Sequence, residues 1–145
     1  MVRRCFFSSY DILYITSITA FPALQGIKPG FQTHNFAYLV QKLGEWGIDP
    51  NNIAIAAQFN SVGFWMCPSR EGCEEALRKI PEAEVIAYGI LASGYLNVPE
   101  AAEYVKSLPE LNGIAVGVSK ESHARKTIEY LKKARTAPLQ GTNHE

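Results

Sequence analysis

The side chains able to do chemistry gather in a few short stretches. In "VIAYGILASGYL" an apolar run from Val85 to Leu91 opens into the small residues Ala92, Ser93 and Gly94, and Tyr88 stands just before that mouth. In "GVSKESHARK" Ser119 precedes a helical pattern, where orphan backbone N–H groups and the positive end of the helix dipole suit an anion. The stretch "FNSVGFWMCPSREGC" carries Phe59, Phe64, Trp65 and Met66. It reads either as a lid over an apolar ligand or as a loop packed on the end of the fold. His34, beside Asn35, reads as a general base at a strand exit or as a residue tying a loop together. His123 reads as a phosphate contact or as a solvated side chain. Cys67 would need a base to become a nucleophile, and the sequence identifies none.

Bulk properties narrow the partners. A chain of 145 residues, 47% apolar, is one ordinary domain able to bury a core. Basic and acidic residues balance at 14 each, so no net field argues for nucleic acid or an anionic membrane. The late basic run, Lys120, Arg125, Lys126, Lys132, Lys133 and Arg135, reads as a solvated helix face. Cys5, Cys67 and Cys73 form no C-x-x-C and have no histidine at ligand spacing, which predicts a reduced, cytoplasmic protein without structural zinc. No P-loop, G-x-S-x-G elbow or G-x-G-x-x-G fingerprint is present.

The elements that must position these residues follow a rhythm. Residues 1–28 read as a strand around Ile12 to Thr16 and a loop through Pro22 and Pro29 to Gly30, or as a leader that loosely imitates a secretory signal. From 29 to 136 the chain alternates amphipathic and continuously apolar segments. "THNFAYLVQKLGEWG" places Phe36, Leu39, Val40 and Leu43 on one helical face, with Asn35 as cap and Gly47 as stop. Ile53 to Phe59 reads as a strand covered on both faces. "SREGCEEALRKI" is a helix capped by Ser69, and Val85 to Leu91 is the next strand. "NVPEAAEYVKSL" opens on an Asn97–Glu100 capping box with Pro99 in the first turn. Ile114 to Val118 makes a strand, and Ser119 caps a last helix with Ala124, Ile128 and Leu131 inward. Residues 137–145 read as a frayed tail. Strands near Ile12, Ile53, Val85 and Ile114 joined by helices predict an α/β fold of repeated βα units with parallel strands, about half of a TIM (β/α)8 barrel.

Four of these segments, in order, resemble the second half of aldo-keto reductases. "GFQTHNFAYLVQKLGEWGI" is similar to the exit of that family's fifth strand, and "IAIAAQFNSVGF" to its sixth. "VIAYGILASGYL" resembles the seventh, of the type A-Y-S-P-L-x-S-G-x-L. "LPELNGIAVGVSKESHARKTIEYL" resembles the eighth with its helix. The resemblance implies that Tyr88 stacks on a nicotinamide ring, that Leu91 and Ser93 lie under a pyrophosphate, and that Ser119 meets the adenosine phosphate of NADP. It departs at the carboxamide-holding pair, which falls on Gln32 and Thr33. It also departs at the sixth-strand glutamine, which falls on Ala56 beside Gln58, and at His123 and Thr127. The family's catalytic Asp, Tyr, Lys and His belong to its first four strands, for which the quoted stretches hold no counterpart.

The resemblance therefore implies a phosphate- or nucleotide-binding remnant without reductase activity alone. Two alternatives stay open: an oxidoreductase assembled with a second half-barrel, and an interaction module using the exposed sheet edge. Four units cannot close a barrel, so the expected partner is a second copy or a complementary half-barrel.

Overall fold

Continuously apolar strands separated by amphipathic helices must run parallel, because each return to the same edge needs a helix-length crossover. The computed structural model of the chain describes Gly26 and residues 28–136 apart from Glu110. Its order is β1 (Gly30–Thr33), α1 (Phe36–Glu45), β2 (Ala54–Gln58), α2 (Arg70–Lys79), β3 (Glu84–Tyr88), α3 (Val98–Ser107), β4 (Gly113–Ala115) and α4 (Glu121–Thr136). The strands form one parallel sheet in the order β1-β2-β3-β4. Sequential order with right-handed crossovers carries the helices to one face and makes the wall of a partial (βα) barrel, whereas a doubly wound sheet reverses its order midway. The expected fold class is the one adopted. Among the described residues no helix is long and apolar enough to cross a membrane.

Register separates the two faces of the sheet. Phe31, Ile55 and Val85 align across the strands, as do Thr33, Ala57, Ala87 and Ile114. This set faces the helices, and Ile55, Ala57, Val85 and Ala87 are buried against Phe36, Leu39 and Leu43 of α1 and Cys73, Ala76 and Leu77 of α2. The other set, Gln32, Ala56, Ile86 and Gly113, then Gln58, Tyr88 and Ala115, faces away from the helices, and none of it is fully buried. The expectation of strands covered and apolar on both faces is therefore corrected. Every second residue is apolar because it meets helices, and the intervening alanines extended the apolar run without entering a core. Lys28 pairs with Glu84 at 3.0 Å near the amino ends of the strands, and the Tyr88 hydroxyl donates to the Thr33 carbonyl at 3.3 Å near the carboxyl ends. Neighbouring strands lie about 4.8 Å apart, so contacts between the β1 side and β3 across β2 fit a sheet that curls inward.

Local signals account for most boundaries. Ser69 Oγ accepts from the Gly72 N–H at 3.1 Å, and Asn97 and Glu100 close the capping box. Gly47, at φ +66°, ends α1 in a Schellman motif, with Ile48 N–H bonding Leu43 O at 2.9 Å and Gly47 N–H bonding Gly44 O at 3.2 Å. Asn35 occupies the cap position of α1 without a side-chain cap bond.

Five expectations change, among them the last strand, expected at Ile114 to Val118 and found at Gly113–Ala115. β1 lies at Gly30–Thr33, starting where the expected loop ends and where only the resemblance points to a strand exit, because four residues are too few to show a period. The strand expected near Ile12 lies outside the described residues. β3 stops at Tyr88 rather than Leu91: Gly89 turns the chain at φ +64°, and Ile90 is apolar because it is buried beyond the strand. In the last helix Lys120, not Ser119, takes the cap position, its carbonyl accepting from the Ala124 N–H at 3.0 Å, and Thr127 is buried where Ile128 is half exposed.

The two-faced sheet has a direct test. Ile55→Ala is expected to lower the free energy of unfolding by about 2–5 kcal/mol, and Ala56→Ser by less than about 0.5 kcal/mol, in urea denaturation. Equal losses would place both residues in one core.

Candidate functional site

The carboxyl ends of β2 and β3 meet at one buried side chain. β2 ends at Gln58, and Phe59 follows, packed edge-on against Phe36 with ring centroids 5.3 Å apart. The chain must then turn away from the sheet, and Asn60, fully buried, organises the turn. Its Oδ1 accepts from the Phe64 N–H at 2.7 Å, and its Nδ2 donates to Phe64 O at 2.9 Å and to Gly89 O at 3.4 Å. Gln58 adds to this: with its carboxamide nitrogen toward the loop, it donates to Phe64 O at 3.2 Å and Trp65 O at 3.1 Å. Arg70 Nη1 donates to Ser61 O at 2.7 Å, and the Cys67 N–H to His34 O at 3.1 Å. The loop from Ser61 to Pro68 is thus held by β1, β2, β3 and α2 at once. An amide is suited to the central role because it offers donors and acceptors together without a charge to desolvate.

This bracing holds the loop in a costly shape. Trp65 has φ +59°, a left-handed conformation that costs a non-glycine residue on the order of 1–3 kcal/mol. Met66 is buried beneath, while Phe64 and Trp65 are 40% and 49% exposed. The lid and packed-loop alternatives therefore divide by residue: Phe59 and Met66 pack, and Phe64 and Trp65 stand out into solvent. The rings of Trp65 and His34 lie 5.4 Å apart at 47°, and those of His34 and Tyr88 6.2 Å apart at 69°. The Tyr88 hydroxyl lies 3.4 Å from His34 Nδ1.

The residues singled out for a ligand fall at the carboxyl ends of their strands. Tyr88 ends β3 on the open face, partly exposed, with its hydroxyl bound on the β1 side. Leu91 packs partly against the core rather than standing free. Ser93 is exposed in the turn Ala92–Gly94, where Ala92 and Ser93 have φ +45° and +58°. Ser119 is exposed in the connection from β4 to α4. Tyr88 and Ser119 therefore flank the mouth from opposite sides, the first directed toward β1 and the second beyond β4. His34 reaches both Tyr88 and Trp65, and His123 is exposed in the first turn of α4. Asn60 and the backbone of Trp65 were missed by sequence reasoning. The signal for Asn60 was an uncharged polar residue ending an apolar run; nothing local announces a left-handed tryptophan.

Cys67 and Cys73 are free, and Cys73 is buried, its Sγ 3.3 Å from the Cys67 carbonyl oxygen. Burial pushes the Cys73 thiol up from its ordinary 9.0 to about 11. Burial also raises Tyr104, with the hydroxyl donating to Glu74 Oε1 at 3.0 Å. Among the described residues no group of His, Cys, Asp and Glu side chains is arranged to hold a metal.

No protein-family model, curated protein or solved structure matches the chain. The residues themselves must therefore carry the tests. Asn60→Ala strips the loop of its buried partner, with an expected loss of about 1–3 kcal/mol in stability and new limited-proteolysis cuts between 61 and 68. Unchanged proteolysis would show that the loop holds without Asn60. A separate expectation concerns pH. The unfolded thiol ionises at its ordinary 9.0, while folded Cys73 stays protonated to about 11. Its contribution to stability is complete below the lower value and lost as pH rises through the upper. The urea midpoint should fall across that window, and Cys73→Ala should flatten the first part of the fall. An identical slope in the variant would remove Cys73 as a cause.

Proposed function

We propose that the carboxyl ends of β3 and β4 form a weak phosphate- or nucleotide-binding site, with NADP as the dinucleotide the resemblance names. The observation that carries this reading is the placement of Tyr88. It is a ring partly exposed on the open face, tethered by its hydroxyl, beside a turn of small residues. Small residues let a ligand approach backbone N–H groups, and the α4 start adds orphan donors and a favourable dipole for an anion. The ligand's ring would lie on Tyr88 and its anionic part near Ser93 and Ser119. Gln32, Thr33 and Ala56 supply a poorer amide set than the resemblance calls for, which makes dinucleotide binding weak. The chain alone does not transfer hydride in this reading, because no described residue is assigned as the carbonyl's proton donor.

A second reading, completion by a second half-barrel, is favoured by the flank of β4. Val118, Ile128 and Tyr130 are each at least 43% exposed there, and Ile114, Val116, Val118, Ile128 and Leu131 line a groove of about 340 Å³. A second copy or a complementary half covering that flank would remove apolar surface from water.

Titration of inorganic phosphate and of NADP⁺, followed by NMR, tests the first reading. Shifts are expected at Tyr88, Leu91, Ser93 and Ser119 and not at Gly30, Ala54 or Glu84, at the amino ends of the strands. Shifts confined to those amino ends, or none at millimolar ligand, would reduce "LASG" to a tight turn.

A further inference from the structure

We infer that Asn112–Gly113 is a site of spontaneous covalent modification, at which the asparagine converts to aspartate and isoaspartate once its clamp on β3 opens. The site lies at the start of β4. It rests neither on the phosphate reading nor on a partner at the flank.

The first observation is the clamp. The Asn112 N–H donates to the Val85 carbonyl at 2.9 Å, and Asn112 Oδ1 accepts from the Val85 N–H at 2.8 Å. The side chain thus stands in for a strand carbonyl and pins the residue before β4 to β3. The ladder that follows is short: Ile86 with Gly113, Ala87 with Ile114, and Tyr88 with Ala115. An edge strand attached by so few pairs depends on the clamp at its start.

The second observation is what stands beside the carboxamide. Asn112 is exposed, and it opens the one Asn-Gly step of the chain. Successive backbone N–H groups of a strand point to opposite edges. With the Asn112 N–H on β3, the Gly113 N–H faces the other way, along the free edge of the last strand in the described sheet. Hydroxide can reach that proton, and no Cβ screens the nitrogen.

The reaction balances with water alone. Hydroxide takes the Gly113 amide proton and the nitrogen attacks Asn112 Cγ. The new Cγ–N bond forms, the Cγ–Nδ2 bond breaks, and ammonia leaves with a proton returned by water. Water then opens the resulting succinimide. Breaking the new Cγ–N bond gives aspartate, and breaking the original peptide C–N bond gives isoaspartate; nothing is oxidised or reduced. Cyclisation must rotate Cγ over the Gly113 nitrogen, which draws Oδ1 away from the Val85 N–H, so the folded chain reacts only through local opening. Aspartate keeps an acceptor for Val85. Isoaspartate lengthens the main chain by one methylene and offsets β4 from β3, a slow one-way release of the edge strand.

Incubation of the full chain in mildly alkaline buffer, with and without urea, tests this by peptide mass spectrometry at Asn112. The free peptide LNGIA is the reference for the effect of urea itself. Relative to that reference, unfolding should speed conversion at least about tenfold. A Cβ at Gly113 would meet Ile86 at 3.6 and 3.7 Å, an ordinary contact, so Gly113→Ala should keep the thermal midpoint. In urea, the same variant should convert several-fold more slowly. Asn112→Asp should keep the protection of the Ile114 amide in hydrogen exchange, and the isolated isoaspartyl form should lose it. Equal rates in folded and unfolded chain would overturn the clamp, and undiminished conversion in Gly113→Ala would overturn attack by the backbone nitrogen. Full protection of Ile114 in the isoaspartyl form would overturn the release of β4.

Discussion

The structure depends on one constraint: the described strands run parallel in sequential order, so each chain segment leaving the sheet must return along a helix. Right-handed crossovers send those helices to one side. That side becomes the dry core, where Ile55, Ala57, Val85 and Ala87 meet α1 and α2. The same constraint puts β1, β2 and β3 exits at one end, so that residues far apart in sequence become neighbours. The Tyr88 hydroxyl reaches Thr33, 55 positions earlier, without any special device beyond strand order and curl. The gathering of side chains at this end is thus a consequence of topology before it is a consequence of any one residue.

How much of this was legible in the sequence depends on the range of the interaction concerned. Ser69, Asn97 with Glu100, and Gly47 act within a turn of helix, and each does what its local pattern foretold. β2 and β3 were visible as apolar runs, but their ends were not. Ile90 is buried after the strand has stopped, and apolarity does not distinguish a strand residue from a loop residue that packs. Ile128 and Thr127 exchanged places for a similar reason. A helix at the end of a sheet is buried along a stripe set by its neighbour α3 and the flank of β4, which no single-helix pattern contains. The position of Tyr88 at the carboxyl end of β3 was legible, because the apolar run leads directly into it. The bracing of residues 61–68 was not, because it joins residues from β1, β2, β3 and α2 through backbone carbonyls that any residue type would supply.

Asn60 shows how a single polar side chain governs a surface it does not reach. It is fully buried, yet it braces the loop that displays Phe64 and Trp65, since both ends of its amide bind the Phe64 backbone N–H and carbonyl. Gly89 completes the arrangement from the turn that follows β3. At φ +64° it leaves its carbonyl to Asn60, and a Cβ there would come within 3.1 Å of Gln58 Cγ. The second brace would be pushed aside by a single methyl group. Core, loop and exposed ring are therefore one mechanical unit, and the strain at Trp65 is sustained by burial several residues away.

The open face of the sheet bears on what could cover it. A filled barrel interior is built from bulky branched side chains in layers. Here the corresponding positions hold Gly30, Gln32, Ala54, Ala56, Gln58, Glu84, Ile86, Tyr88, Gly113 and Ala115. Sealing Gln32, Gln58 and the Lys28–Glu84 pair into a dry interior would cost their hydration, and the alanines and glycines would leave gaps. Apolar character is concentrated instead at the flank, where Val118, Ile128 and Tyr130 are exposed. The flank and the open face are therefore distinct surfaces, the first apolar and the second lined by small and polar side chains.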